Sequence, residues 1–251
     1  MPQHSSLKII TLNIEGDKHL DQIIPFLEQE NPDVICLQEV FKIDVEKFKT
    51  ALNMEAFFTP LVNITHRTRY NIAPNGIWGL LILTKNQIIE NKFKYYVQHD
   101  GDNIPVFIDE KPNSLNRAIS WVEIRKNDVE YTVATTHFTW SNKGKLSKEQ
   151  ENNFAALEKI FPEIGECILC GDFNSPRGEG SFSLFTKYFK DNVPAEITTT
   201  IDNEIHVSPD NIQLVVDNIF STKDYQVSDV KVVDGLSDHL AVVGVVRKVK
   251  K

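Results

Sequence analysis

Cysteine is scarce in this chain. Three residues in 251 are too few, and odd in number, to form a disulfide framework, so a reducing compartment is expected. Long apolar runs are also missing, and none approaches the roughly 18 residues that cross a bilayer. Met1 to Ser6 leads straight into a strand-like segment without the hydrophobic core of a secretory leader, which points to a cytoplasmic location and makes the sequon at Asn63-Ile64-Thr65 coincidental. A positive excess is absent as well: 27 Lys and Arg face 35 Asp and Glu, a formal net charge of −8. Proteins that grip long duplexes by neutralising phosphates carry a basic face, so tight non-specific duplex binding is disfavoured. A nucleic-acid substrate held at a metal centre is not, and part of the acid could serve that centre. No repeat, low-complexity tract or Gly/Ser/Pro linker divides the sequence. Residues 1–251 therefore read as one domain, expected to be a monomer and long enough to bury a sizeable core.

What is present is a succession of apolar segments with polar ends. Leu7 to Asn13 reads as a buried strand, and Asp17 to Glu30 as a helix with Leu20, Ile23, Ile24 and Leu27 at helical spacing, ended by Asn31-Pro32. Asp33 to Gln38 is a second strand and Val45 to Leu52 a second helix. Strand composition returns at Ile77–Thr84, Ile88–Val97, Arg117–Ile124 and Val129–Thr136, the last two joined by a turn at Lys126-Asn127-Asp128. Ser147-Lys148-Glu149-Gln150 is a capping box opening a helix to about Ile160. Glu166–Cys170 forms a strand and Phe182–Phe189 a helix, before strands at Gln213–Phe220, Tyr225–Val233 and Leu240–Val246. Many strands with few βαβ units suit an α+β fold of two packed sheets with helices outside, rather than a doubly wound parallel sheet.

The polar ends carry the chemistry. Asn13, Glu39, His137, Asp172 with Asn174, and Asp238 with His239 each sit at the end of an apolar strand, while Asp217 is expected inside a sixth. An unpaired charge in such a run costs several kcal/mol or more, so each needs a partner, and together they could share one cation. Glu39, Asp172, Asp217 and Asp238 offer the carboxylate oxygens that Mg²⁺ prefers. A carboxylate or histidine can deprotonate a water, and an imidazole or amide can support charge developing on phosphate oxygens. That inventory suits hydrolysis of a phosphoester without a Ser or Cys nucleophile.

In order, the segments are Thr11-Leu12-Asn13, Leu37-Gln38-Glu39-Val40, Thr136-His137-Phe138, Gly171-Asp172-Phe173-Asn174, Val216-Asp217-Asn218-Ile219-Phe220 and Ser237-Asp238-His239. The series resembles the successive motifs of the endonuclease/exonuclease/phosphatase superfamily, over residues 7 to 246. The resemblance implies a four-layer α/β/β/α sandwich of two mostly antiparallel sheets. It also implies a Mg²⁺-dependent phosphoesterase in which Mn²⁺ can substitute. Glu39 would be the main metal ligand with Asn13 beside it, and Asp238 would assist the metal or stand behind its ligands. His239, oriented by Asp217, would contact the scissile phosphate, and either His239 or Asp172 would activate water. Asn174 would hold a phosphate oxygen or the nucleophile, and His137 would act as an acid or phosphate contact. The substrate expected is a phosphodiester, with nucleic acid as first choice. A phosphatase acting on a soluble metabolite or lipid headgroup is the alternative, and a catalytically dead binding module the reading from another class. Glu15-Gly16 after Asn13 resembles the start of tyrosyl-DNA phosphodiesterases, but Phe173 stands where those enzymes carry threonine. The Trp-Cys-Asp-Arg string of inositol phosphatases is replaced by Val215-Val216-Asp217-Asn218.

Three further residues could meet substrate. Arg117, opening its strand, either binds phosphate or forms a salt bridge. Arg177, beyond Asn174, either forks onto a phosphate or is solvated. Trp140, just past His137, either stacks on a base or joins the core. His66, Arg67, Arg69 and Tyr70 make a basic-aromatic loop. Cys167 and Cys170, three apart on a strand, point to opposite faces and read as core, as does Cys36.

Overall fold

A computed structural model describes residues 5–99, 101, 103–207 and 211–249. Its elements in chain order are β1 (Ser6–Asn13), α1 (Leu20–Glu30), β2 (Val34–Phe41), α2 (Val45–Leu52), β3 (Glu55–Ile64), β4 (Gly76–Thr84), β5 (Gln87–Val97), β6 (Arg117–Lys126), β7 (Val129–His137), α3 (Lys148–Leu157), α4 (Phe161–Ile164), β8 (Ile168–Asp172), α5 (Gly180–Phe185), β9 (Asp217–Ser221), β10 (Tyr225–Val233) and β11 (Ala241–Lys248). One sheet has the order β10-β11-β1-β2-β4-β3 and the other β5-β6-β7-β8-β9. Each contains a single parallel pair, β1 with β2 and β7 with β8, among antiparallel neighbours.

Period-two alternation builds the layers. Leu7, Ile9, Val34, Cys36 and Ile82 of the first sheet meet Val122, Val133, Ile168, Cys170 and Ile219 of the second in the central core. The opposite face of the first sheet, with Ile10, Leu12, Ile35 and Leu37, is covered by Leu20, Ile23 and Leu27 of α1 and Phe48 and Leu52 of α2. The second sheet turns Trp121, Ala134, Leu169 and Phe220 toward α3, α4 and α5, which supply Phe154, Leu157, Ile164, Phe182 and Phe185. The result is the four-layer α/β/β/α sandwich, with Cys167 and Cys170 on opposite faces of their sheet and all three cysteines free and buried.

Several boundaries differ from the sequence reading. β3 is a strand that composition did not reveal, because Pro60 interrupts it; the ladder tolerates this at the sheet edge through a bulge between Pro60 and Val62. The helix opened at Ser147 stops at Leu157 and is followed by the separate α4. The helix expected over Phe182–Phe189 runs from Gly180 to Phe185. Most consequential, β9 begins at Asp217 rather than Gln213, so Asp217 stands at the first position of its strand and not inside it.

Candidate active site

The inward-facing positions of four strands grade from apolar to polar toward one end. On β1 the series is Leu7, Ile9, Thr11, Asn13; on β2 it is Val34, Cys36, Gln38. On β7 it is Val133, Thr135, His137, and on β8 Ile168, Cys170, Asp172. Both parallel pairs therefore finish with their carboxyl ends side by side, the place where open α/β sheets gather ligands. Gln38 bridges the two sheets there, donating to Thr11 Oγ1 at 3.2 Å and Thr135 Oγ1 at 3.1 Å.

Glu39 reaches the site only by breaking the alternation. The ladder between β2 and β4 slips between Leu37 and Val40, and Glu39 adopts φ 65°, a left-handed conformation costing a non-glycine residue about 1–2 kcal/mol. Two hydrogen bonds hold that peptide in place: the Glu39 carbonyl accepts from the Gly16 N–H at 3.1 Å and from the Trp78 indole N–H. Its carboxylate thereby lies 3.9 Å from His137 Nδ1 on the opposite sheet. Burial, with the neighbouring charge of Asp238, pushes the Glu39 carboxyl up to about 8.

Asp172 is the hub. Its Oδ2 lies 3.3 Å from Asn13 Nδ2, 3.4 Å from His137 Nε2 and 3.9 Å from His239 Nε2, while Oδ1 accepts the Asn174 N–H at 2.9 Å. Burial raises its carboxyl to about 6, against the lowering pull of His239. Phe173 points the other way, packing between Phe185 and Phe220 at centroid distances of 4.9 and 4.7 Å, and so anchors the polar residues on either side of it. Gly171 is obligatory: φ is 144°, and a Cβ there would lie 2.0 Å from the Thr136 carbonyl oxygen. Asn174 donates to the Phe138 carbonyl at 3.1 Å, and its own carbonyl accepts from Gln150, the capping-box residue of α3.

His239 Nδ1 and Asp217 Oδ2 are 2.8 Å apart, and the aspartate is fully buried with no partner on Oδ1 among the described residues. Burial alone would depress the imidazole, but the charges of Asp217 and Asp172 outweigh it and hold it well above its ordinary value. His137 behaves oppositely: burial and the nearby Arg117 charge hold it well below. Asp172, Asp217 and His239 each offer a ligand atom within 4.8 Å of one another, a buried group able to hold a divalent cation. Asp238 is half-buried beside them and accepts from Ser237 Oγ at 3.1 Å.

The three substrate candidates fare differently. Arg117 is 2% exposed and is drawn inward, donating to the His137 carbonyl at 3.0 Å and to Asn113 Oδ1 at 2.9 Å. Arg177 is spent on its own surroundings, Asp191 at 2.9 Å and the carbonyls of Val193, Pro194 and Ile197, so it clamps a loop instead of presenting a free fork. Trp140 is 43% exposed, and its backbone is clipped at N–H and C=O by Asn113. In the basic-aromatic loop, His66 pairs with Asp109 at 3.0 Å and Arg69 lies 4.7 Å over the ring of Tyr70. Sequence reasoning missed Gln150, Asn113 and Thr200 as parts of the site. Only Gln150 had left a signal, its capping box.

The model of the Endonuclease/Exonuclease/phosphatase family matches residues 10–239. No curated protein matches by sequence. Among solved structures, an endonuclease/exonuclease/phosphatase from Beutenbergia cavernae superposes with a TM-score of 0.74 at 17% identity, covering 98% of this chain and 72% of that one. The human Nocturnin catalytic domain, solved with a bound sulfate anion, gives 0.71 at 15% identity over 98% of this chain and 97% of its own. A mannosyl-6-phosphatase from Bacteroides thetaiotaomicron gives 0.65 at 15% identity, covering 95% and 98%.

Proposed function

Because this chain belongs to the endonuclease/exonuclease/phosphatase family, whose members are metal-dependent phosphoesterases, we propose that it hydrolyses a phosphodiester bond by direct attack of water, with nucleic acid as the substrate class. The observation that carries this reading is the run Asp217–His239–Asp172 at the joined ends of the two sheets, with Glu39 and His137 facing it.

The donor set suits a hard cation, because carboxylate and amide oxygens dominate it and the half-buried Glu39 faces other acids whose repulsion a cation would relieve. Glu39 and Asn13 would hold Mg²⁺, or Mn²⁺ in its place, with Asp238 assisting. Asp217 is a poorer ligand, since it is already engaged with His239 at 2.8 Å. The ion, when bound, neutralises charge on the phosphate. His239 lies between the carboxylates of Asp217 and Asp172, which favours its protonated form. A group that keeps its proton cannot take one from water, so Asp172 acts as the base and His239 contacts the phosphate. Asn13 and Asn174 orient Asp172 through its two oxygens. Neutral His137 offers a further hydrogen bond to a phosphate oxygen, and the exposed face of Trp140 a surface for a base.

A phosphomonoesterase acting on a soluble metabolite or lipid headgroup is the second reading, favoured by the net charge of −8. A dead binding module would have lost at least one of Glu39, Asp172, Asn174, Asp217 or His239, and all are present. A cytoplasmic, reducing setting suits the three unpaired cysteines. Among the described residues no helix is long and apolar enough to cross a membrane. The test is a panel of oligonucleotides, other phosphodiesters and phosphomonoesters with Mg²⁺, Mn²⁺ or chelator, run on wild type and Asp172→Ala. Turnover insensitive to chelator and to that substitution would sink the mechanism. Cleavage of monoesters alone would transfer the assignment to the phosphatase reading.

A further inference from the structure

The Asp217–His239 pair is an inter-sheet contact: Asp217 opens β9 of one sheet, and His239 precedes β11 of the other. No strand ladder joins those two strands, so their separation at the site must be set by something else. Residues 199–202 lie between them and bond to both. On one side the Thr200 N–H donates to the Leu214 carbonyl at 2.9 Å, and Thr200 Oγ1 accepts the N–H groups of Val216 at 3.0 Å and Asp217 at 3.1 Å. On the other side the Thr200 carbonyl accepts the Leu240 N–H at 2.8 Å, Ile201 bridges His239, and the Asp202 N–H donates to the Asp238 carbonyl at 2.9 Å. Asp202 also takes the Gly235 N–H at 2.8 Å, tying in the start of the segment that carries His239.

Thr200 is fully buried, and it alone in this segment touches both halves through separate atoms. The hydroxyl holds the backbone of Asp217; the carbonyl holds the residue after His239. We propose that Thr200 is a positioning residue, the staple that sets Asp217 Oδ2 at hydrogen-bonding distance from His239 Nδ1. It touches no reacting atom. Because its hydroxyl accepts two N–H groups at once, a side chain without an acceptor leaves both unpaired and lets the start of β9 shift relative to the other sheet. The inference rests on the role given above to His239, but its spectroscopic arm does not depend on any activity.

The test compares Thr200→Val, which keeps the shape and loses the acceptor, with Thr200→Ser, which keeps the acceptor and loses a methyl. Proton NMR of the full chain follows the imidazole Nδ1–H resonance of His239 and the exchange of the Asp217 and Leu240 amides, while steady-state kinetics separates kcat from KM. Thr200→Val is expected to shift or broaden the imidazole resonance, speed exchange at Asp217 and lower kcat about 10- to 100-fold with KM changed less than threefold. Thr200→Ser should keep the resonance and stay within about threefold of wild-type kcat. A folded Thr200→Val with the wild-type resonance and kcat would overturn the assignment, as would equal losses in both variants. If Thr200→Val does not fold, Thr200→Ser and Thr200→Ala carry the comparison, and identical resonances and kcat in those two would overturn it equally. Should wild type turn over no phosphoester at all, the functional reading fails while the resonance and exchange still decide the staple.

Discussion

Asp217→Asn isolates one charge in the site with little change in volume. The native carboxylate is fully buried, its Oδ2 lies 2.8 Å from His239 Nδ1, and its other oxygen has no partner among the described residues. An asparagine oxygen can still accept from that ring nitrogen, so the least damage is loss of charge assistance. A hydrogen bond to a charged group contributes about 1.5–3 kcal/mol and a neutral one about 0.5–1.5, leaving a deficit near 1–2 kcal/mol, or about 5- to 30-fold in rate. If the amide turns its NH₂ to the ring instead, Nδ1 must accept, the imidazole is held neutral, and the loss exceeds that figure because the positive charge offered to the phosphate is gone. The sign of the pH effect follows from the geometry. Asp217 favours the charged imidazole, so its removal lowers the His239 pKa and moves the limb of the rate profile that reports His239 to lower pH. The assay is kcat and KM with bis(4-nitrophenyl) phosphate and an oligonucleotide from pH 5.5 to 9, alongside NMR titration of His239. An unchanged kcat together with an unchanged His239 titration would refute the role given to the pair.

Four further outcomes are expected. Gly171→Ala, whose Cβ would sit 2.0 Å from the Thr136 carbonyl oxygen, should part β7 from β8, cost about 1–3 kcal/mol or more and abolish activity; wild-type thermal unfolding would contradict the packing argument. Metal-free protein should lose stability between pH 6.5 and 8. Glu39 titrates at about 8 in the fold against 4.5 unfolded, so the folded state binds more protons across that window, and the raised His239 acts in the same direction. One such group is worth at most about 2 kcal/mol over that interval, and Glu39→Gln should flatten the slope in unfolding curves with chelator. Mg²⁺ should raise the melting temperature of wild type more at pH 8 than at 6.5, and that of Glu39→Gln much less; equal stabilisation of both would remove Glu39 from the ion's ligands. Trp140→Ala should raise KM for oligonucleotides several-fold and cost far less thermal stability than truncating a buried aromatic such as Phe173, because the residue is 43% exposed.

Much of the fold was legible because burial in a sandwich imposes a local rule. The buried strand Leu7–Asn13, the half-exposed edge strand Tyr225–Val233 and the helix Val45–Leu52 emerge nearly residue for residue, since apolar periodicity and polar ends report the layer each face meets. β3 stayed hidden because its edge position permits Pro60, a residue that argues against a strand when read locally. The start of β9 was misplaced because Leu214, Val215 and Val216 look like strand but give their carbonyls to Thr200, Arg177 and Phe173 rather than to a ladder. Arg117 and Arg177 illustrate a different limit. A cation at a strand end or in a loop has the same spelling whether it faces solvent or is enclosed by carbonyls.

The sequence by itself determined the chemical inventory and its order: four carboxylates, two histidines and two asparagines, each at or beside the end of an apolar segment, with strand alternation carrying Asn13, His137 and Asp172 inward. These are local properties, dictated by the period of a strand and the cost of burying charge. Only the tertiary structure decided which of them meet. Glu39 arrives through a bulge and a left-handed backbone held by Gly16 and Trp78, and Asp217 finds His239 across two sheets that Thr200 joins. Such contacts depend on register and on hydrogen bonds between residues far apart in the chain, and local pattern holds no trace of either.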